Sequence, residues 1–202
     1  MKTLLLTGFT FFDRYWHNPS GEIARRLDGA EINGYRVKSL ILPVSYVKAK
    51  RMLLEHLEKE KPDAVIGLGL APTAKSVNIE LAAVNRAYFT SPDVDSYVAR
   101  YVEILEGGYT IVFTTLPVER IVSKCSSTMP PVRPSLSTGL YLCNVVAYLA
   151  MNYGRKNEKL AGFLHIPPST VNVLKGESEH GYPEDVILEA VKCVIEASLG
   201  EE

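Results

Sequence analysis

Short apolar runs alternate with amphipathic stretches along this chain, and that alternation restricts the fold more than any other feature. Thr3 to Gly8, Tyr35 to Leu42, Ala64 to Leu68, Tyr109 to Thr114 and Lys159 to His165 read as strands, and Ser76 to Val84 as a further extended stretch. Helices are expected between them. One follows the Asn18-Pro19-Ser20 start signal and ends at Gly29, and a second runs from Ser45 to Lys61 with Pro62 as its stop. Others are expected over Asp95 to Leu105, which ends at Gly107-Gly108, over Leu116 to Lys124, and over Pro183 to Leu199, whose Val186, Ile187, Ala190, Val191, Val194 and Ile195 share one face. The Pro-rich stretch Met129 to Pro134 separates the Leu116 to Lys124 helix from an apolar run that begins near Leu140. Strand and helix in this order predict an α/β fold, a mostly parallel sheet with helices on both faces, whose site lies at the carboxyl ends of strands.

At 202 residues and 47% hydrophobic content the chain can bury one substantial core, and residues 1–202 are expected to form a single domain. Its 22 basic and 23 acidic residues cancel, which leaves no electrostatic footprint for nucleic acid or an anionic membrane. A small or neutral substrate fits better. The apolar opening run Met1 to Phe9 is closed by Asp13 and Arg14 and reads as a buried strand rather than a signal peptide, and no run is long enough for a membrane helix. Three scattered cysteines are too few for a disulfide framework, so a cytosolic protein is expected, with Cys193 read as a packed thiol in its helix and an intersubunit disulfide as the alternative. The histidines at 17, 56, 165 and 180 show no i, i+4 pair, and Cys125 and Cys193 no CxxC spacing. No metal and no cofactor are expected.

Chemistry points first to Ser137-Thr138-Gly139-Leu140-Tyr141-Leu142-Cys143-Asn144. Ser and Thr favour helix starts, and the apolar run after Gly139 predicts a buried helix beginning near Thr138 to Leu140, with Cys143 in its first turn. Unpaired N–H groups and the helix dipole stabilise a thiolate there. A lone cysteine on an apolar helix is more often packing, so partners decide. His165 closes a strand just before Ile166-Pro167-Pro168, and Glu80 lies on the polar face of its extended stretch. Together the three make a thiolate, imidazole and carboxylate set for acyl transfer.

At these residues the chain resembles the pyrrolidone carboxyl peptidase family, also called pyroglutamyl peptidase I. The matching landmarks are TGF at 7 to 9 with Phe12, NPS at 18 to 20, LPV at 42 to 44, GLAP at 69 to 72, IE at 79 to 80, AVN at 83 to 85, TLPV at 115 to 118, STGLYLCN at 137 to 144 and GFLHIP at 162 to 167. Their order and separation carry the resemblance along essentially the whole chain. It implies a three-layer α/β/α sandwich and a cytosolic cysteine peptidase that removes an N-terminal pyroglutamyl residue from a small peptide or amide. It further implies Cys143 as nucleophile, His165 as general base and then acid, and Glu80 as the group orienting the histidine. Phe9 and Phe12 would hold the lactam ring, with Asn18, Leu70 and Leu142 also at the substrate, in a homodimer or homotetramer.

Some family positions differ. The Gly-Phe-Glu-Pro-Phe-Gly-Gly loop has Thr10 and Phe11 for Glu and Pro, and Asp13 and Arg14 for the two glycines. Thr73-Ala74 stand for Gly-Arg, Leu81 for an arginine, and Thr90 for the arginine placed near the oxyanion, with Arg86 a candidate to replace it. Val94 to Gly108 is helical in pattern where the family is extended. The alternative reading is a silent binding or assembly protein on the same scaffold.

Overall fold

The computed structural model describes residues 1–12 and 15–200. Asp13 and Arg14, where the substrate loop departs from the family glycines, lie outside the described residues. In chain order the elements are β1 (Lys2–Phe9), α1 (Pro19–Leu27), β2 (Glu31–Ile32), β3 (Tyr35–Leu42), α2 (Tyr46–Glu60), β4 (Ala64–Leu70), β5 (Val77–Glu80), β6 (Ala82–Val84), β7 (Ala87–Phe89), β8 (Ala99–Val102), β9 (Ile111–Phe113), α3 (Val118–Cys125), β10 (Val132–Ser135), α4 (Leu142–Asn157), β11 (Leu160–Ile166), α5 (Thr170–Leu174) and α6 (Glu184–Leu199).

Among the described residues the main sheet has the order β10-β5-β11-β4-β1-β3-β2. Pairing is parallel from β11 through β4 and β1 to β3, and between β10 and β5; β5 runs antiparallel to β11, and β2 to β3. Strand side chains alternate between two cores, as the pleat requires. On one face Leu4, Leu6, Ile66, Leu68, Leu164 and Ile166 pack with Ile23 of α1, Ile121 of α3 and Ile187, Val191 and Ile195 of α6. On the other, Leu5, Val65 and Phe163 pack with Leu53 and Leu57 of α2 and Val146, Leu149 and Ala150 of α4. The site is built on this second face.

Local chemistry explains the starts of two helices. Asn18 caps α1 by accepting from the Ser20 N–H at 3.1 Å, with Pro19 beginning the first turn, and Ser45 caps α2 by accepting from the Lys48 N–H at 3.2 Å.

Four expectations need correction. Asp95 to Leu105 is not a helix: buried Asp93 accepts the N–H groups of Asp95 and Tyr97 through Oδ1, both at 2.9 Å, and of Tyr46 through Oδ2 at 2.7 Å, and this turn leads into β8, which pairs antiparallel with β7. A side chain offering the backbone this alternative outcompetes helix propensity. The stretch is therefore a turn followed by a short strand. Ser76 to Val84 splits at Leu81, whose N–H donates to Ser135 and whose carbonyl accepts from Thr114, sending β6 out of the main sheet to pair with β9. Part of the Pro-rich stretch is strand β10, with Pro134 tolerated at the sheet edge. Finally, Cys193 is not a packed thiol: it is bonded to Cys125 across the α3–α6 contact.

Candidate active site

Strand register brings the histidine and carboxylate together. In the antiparallel β5–β11 pair Phe163 faces Glu80 and His165 faces Asn78, so Glu80 and His165 share a face as diagonal neighbours. His165 Nδ1–H donates to Glu80 Oε1 at 2.7 Å. Both are buried, His165 to 8% exposure and Glu80 to 1%, so Glu80 is no solvated strand face. Among the described residues its Oε2 has no hydrogen-bond partner, which leaves the imidazole as the group answering the carboxylate. The edge of Phe163 meets the His165 ring at 5.2 Å between centroids and limits its rotation.

Cys143 reaches the same place from α4, near enough to the His165 side chain to raise its pKa. Since Glu80 occupies Nδ1, Nε2 is the nitrogen left for the sulfur. Glycine makes the approach feasible: a Cβ on Gly69 would stand 2.8 Å from Cys143 Sγ and 2.7 Å from Phe163 Cζ. Burial works against charge on His165, but Cys143 and then Glu80 outweigh it and push its pKa from 6.5 up to about 10.

The helix carrying Cys143 begins later than the sequence predicts, at Leu142, with Tyr141 as N-cap and no side chain capping it. Thr138 serves elsewhere. Its hydroxyl donates at 2.9 Å to Oδ1 of buried Asn144, which also accepts the Val84 N–H at 3.0 Å; Asn144 Nδ2 donates to the carbonyls of Val84 at 2.9 Å and Arg86 at 2.8 Å. The first turn is thus hung from β6 and the segment after it. Leu142 and Cys143 bring first-turn N–H groups that have no acceptor within the helix.

Above the sulfur lies a cavity of about 530 Å³. All five residues expected at the substrate line it, Phe9, Phe12, Asn18, Leu70 and Leu142, as does Cys143. Asn18 is largely committed to the protein: Oδ1 takes the Ser20 N–H and hydroxyl, and Nδ2 donates to the Thr10 carbonyl at 3.0 Å. Tyr88, Phe89, Ser91 and Tyr141 also line the cavity, and sequence reasoning missed them. The Tyr141 ring meets Phe89 at 4.6 Å and Phe12 at 5.9 Å, so the aromatic lining is one packed group. The aromatic content of Tyr88-Phe89 was the available signal. Thr90 is on the wall, and among the described lining residues none is acidic or basic. Arg86 is not among the described residues that line the cavity. Its guanidinium donates to Glu103 and to the Asn85 carbonyl, both at 2.8 Å, and lies over the Tyr101 ring.

A family model described as pyroglutamyl peptidase matches residues 1–201. The chain belongs to the pyroglutamyl peptidase family. It is 37% identical over 204 residues to the pyrrolidone-carboxylate peptidase of Pyrococcus furiosus, an alignment covering 98% of each chain. Crystal structures of the pyrrolidone carboxyl peptidase from that hyperthermophile superpose with a TM-score of 0.89 at 36% identity, covering 98% of both chains. The pyroglutamyl peptidase I of Bacillus amyloliquefaciens gives 0.91 at 28% identity, with 100% of this chain and 98% of that one covered. The α/β fold is that of these peptidases. Among the described residues no helix is long and apolar enough to cross a membrane.

Proposed function

We propose that this member of the pyroglutamyl peptidase family removes an N-terminal pyroglutamyl residue from small peptides, with Cys143, His165 and Glu80 as its catalytic set. The observation that carries the reading is the Glu80–His165 hydrogen bond of 2.7 Å, backed onto a cysteine at the floor of an aromatic cavity. A flat, uncharged lactam suits walls built from Phe9, Phe12 and Tyr141.

With its pKa pushed up to about 10, the imidazole is protonated at neutral pH and stands beside Cys143, whose thiolate form is the nucleophile. The thiolate attacks the carbonyl carbon of the pyroglutamyl amide, and its electrons pass to the oxygen. First-turn N–H groups of Leu142 and Cys143 are the donors for that oxyanion. Collapse breaks the C–N bond, and His165 gives its proton to the leaving amine. Neutral His165 then takes a proton from water, whose oxygen attacks the thioester and releases pyroglutamate and the thiolate. Glu80 holds the ring in one tautomer throughout. Thr90 offers a hydroxyl where the family arginine would bring charge, so the oxyanion relies on backbone donors and turnover is slower than with that arginine.

A fluorogenic pyroglutamyl amide tests this. Cys143→Ala should abolish hydrolysis; equal rates for both proteins would refute the assignment.

The catalytic groups come from one sheet and the helix packed on it, which supports a single catalytic domain. We also read the protein as a homo-oligomer. Phe113, at 60% exposure, and Leu136, at 74%, flank an apolar groove with Ile111 and Leu140, more contiguous than scattered surface residues. Sedimentation should give a particle heavier than one chain, and a monomer at all concentrations would contradict it. A cytosolic location is compatible with the Cys125–Cys193 disulfide where intracellular disulfides persist, as they do in hyperthermophiles.

A further inference from the structure

The segment 169–182 follows β11, the strand of His165, and adds no side chain to the described cavity lining, yet it is bonded to both loops that do. Toward the aromatic loop, Glu177 Oε1 accepts the Trp16 N–H at 2.6 Å, and Oε2 accepts from Asn172 Nδ2 at 2.7 Å. The same Nδ2 donates to the His17 carbonyl at 2.8 Å. Asn172 is fully buried and cannot turn its amide over, because Oδ1 is taken by the Ser169 N–H at 2.8 Å and hydroxyl at 3.0 Å. On the opposite side His180 Nε2–H donates to the Ala74 carbonyl at 2.9 Å, and the Tyr182 hydroxyl to the Lys75 carbonyl at 3.1 Å. Tyr15 and Asn18 flank the clamped Trp16-His17 pair, and Pro72 precedes Ala74; all three line the cavity.

We propose that Glu177, acting with Asn172, is a positioning residue that fixes segment 15–18 as one wall of the substrate cavity. The proposal deepens the peptidase reading above and rests on it. A carboxylate is suited to the task because it accepts two donors at once, one from each partner. Glutamine could keep the Trp16 bond, but its amide nitrogen would then face the Asn172 nitrogen, donor against donor. The clamp touches no reacting atom, so its loss should weaken substrate binding and leave the nucleophile intact.

Trp16 is the chain's single tryptophan, and its backbone N–H is held by the clamp while the residue is 70% exposed, so its ring reports the mobility of the segment. In Glu177→Ala, KM for the fluorogenic pyroglutamyl amide should rise about tenfold, the value of one charge-assisted hydrogen bond, while kcat stays within about twofold. Trp16 fluorescence anisotropy should fall, and alkylation of Cys143 by iodoacetamide should keep its rate. Glu177→Gln should lie between, and Glu179→Ala, at an exposed position two residues on, should match wild type. Unchanged KM and anisotropy in Glu177→Ala overturn the proposal. So does a parallel loss of kcat, alkylation rate and thermal stability, which marks a merely structural role. Should Glu177→Ala not fold, Glu177→Gln carries the same two readouts, and wild-type values there overturn it. Wild type without Cys143-dependent hydrolysis sinks the peptidase reading instead, whereas an active wild type with an unaffected clamp variant sinks the clamp alone.

Discussion

His165 is held between Cys143 and the Glu80 carboxylate in a nearly dry site, and its behaviour follows from that placement. Because its pKa is raised, the stability that the imidazolium draws from its ion pair with Glu80 is fully present below the ordinary 6.5 and is lost as pH rises through about 10. Proton donation to the leaving amine should therefore persist into the alkaline range, with kcat/KM falling as pH passes about 10. Glu80→Gln removes one of the charges that raise this pKa and leaves a hydrogen-bond partner of the same shape. It should move the alkaline limb toward neutrality and lower kcat by about a hundredfold or more, since the ring loses both its charge partner and its enforced tautomer. A pH profile of wild type and variant checks it; superimposable profiles would show that Glu80 does not act on the histidine. Cys143, His165 and Glu80 were recognisable in the sequence through the spacing of family motifs, but each alone reads as an ordinary core or surface residue. Glu80 in particular looks like the polar side of a half-exposed strand. Only the neighbouring β11 reveals that its face is covered.

The start of α4 depends on one side chain more than on capping. Asn144 uses both lone-pair positions of its oxygen and both hydrogens of its nitrogen to join the helix to Thr138, Val84 and Arg86. Asn144→Ala would strand the half-buried Val84 N–H and two carbonyls, and should cost about 3 kcal/mol of stability. It should also cut kcat, because Cys143 is the adjacent residue in the turn that loosens. Chemical denaturation and kinetics on the same preparation test both halves; full kcat in a destabilised variant would show that the sulfur is placed by other contacts. The Ser-Thr pair upstream predicted a helix start, and the start came a turn later, because Thr138 spends its hydroxyl on Asn144. In the same way Asp93 converts a stretch of helical composition into a turn and a strand by offering its carboxylate to three backbone N–H groups.

Across the molecule the two faces of the sheet divide the labour. The proposed catalytic groups and the cavity use the α2–α4 face, while the Cys125–Cys193 disulfide joins α3 to α6 on the other, closing a loop with a sequence separation of 68. A cross-link over a loop of this size contributes about 4 kcal/mol by restricting the unfolded chain. Cys193→Ser should therefore lower the melting temperature by about 10 °C, with kcat at room temperature unchanged because the site is on the far face. Calorimetry beside the amidase assay decides it, and an unaltered melting temperature would mean that packing alone holds the two helices. The alternation of apolar runs with amphipathic stretches already specified the α/β class, the positions of β1, β3, β4 and β11, and the helices α1, α2 and α6. Those features depend on local periodicity and on capping or stop residues, which a linear chain displays. The direction of β5, the departure of β6 from the sheet, the Asp93 turn, the disulfide and the joining of sulfur, imidazole and carboxylate were decided only by tertiary structure. Each requires partners far apart in sequence, and the energy that selects them comes from contacts that do not exist until the chain has closed on itself.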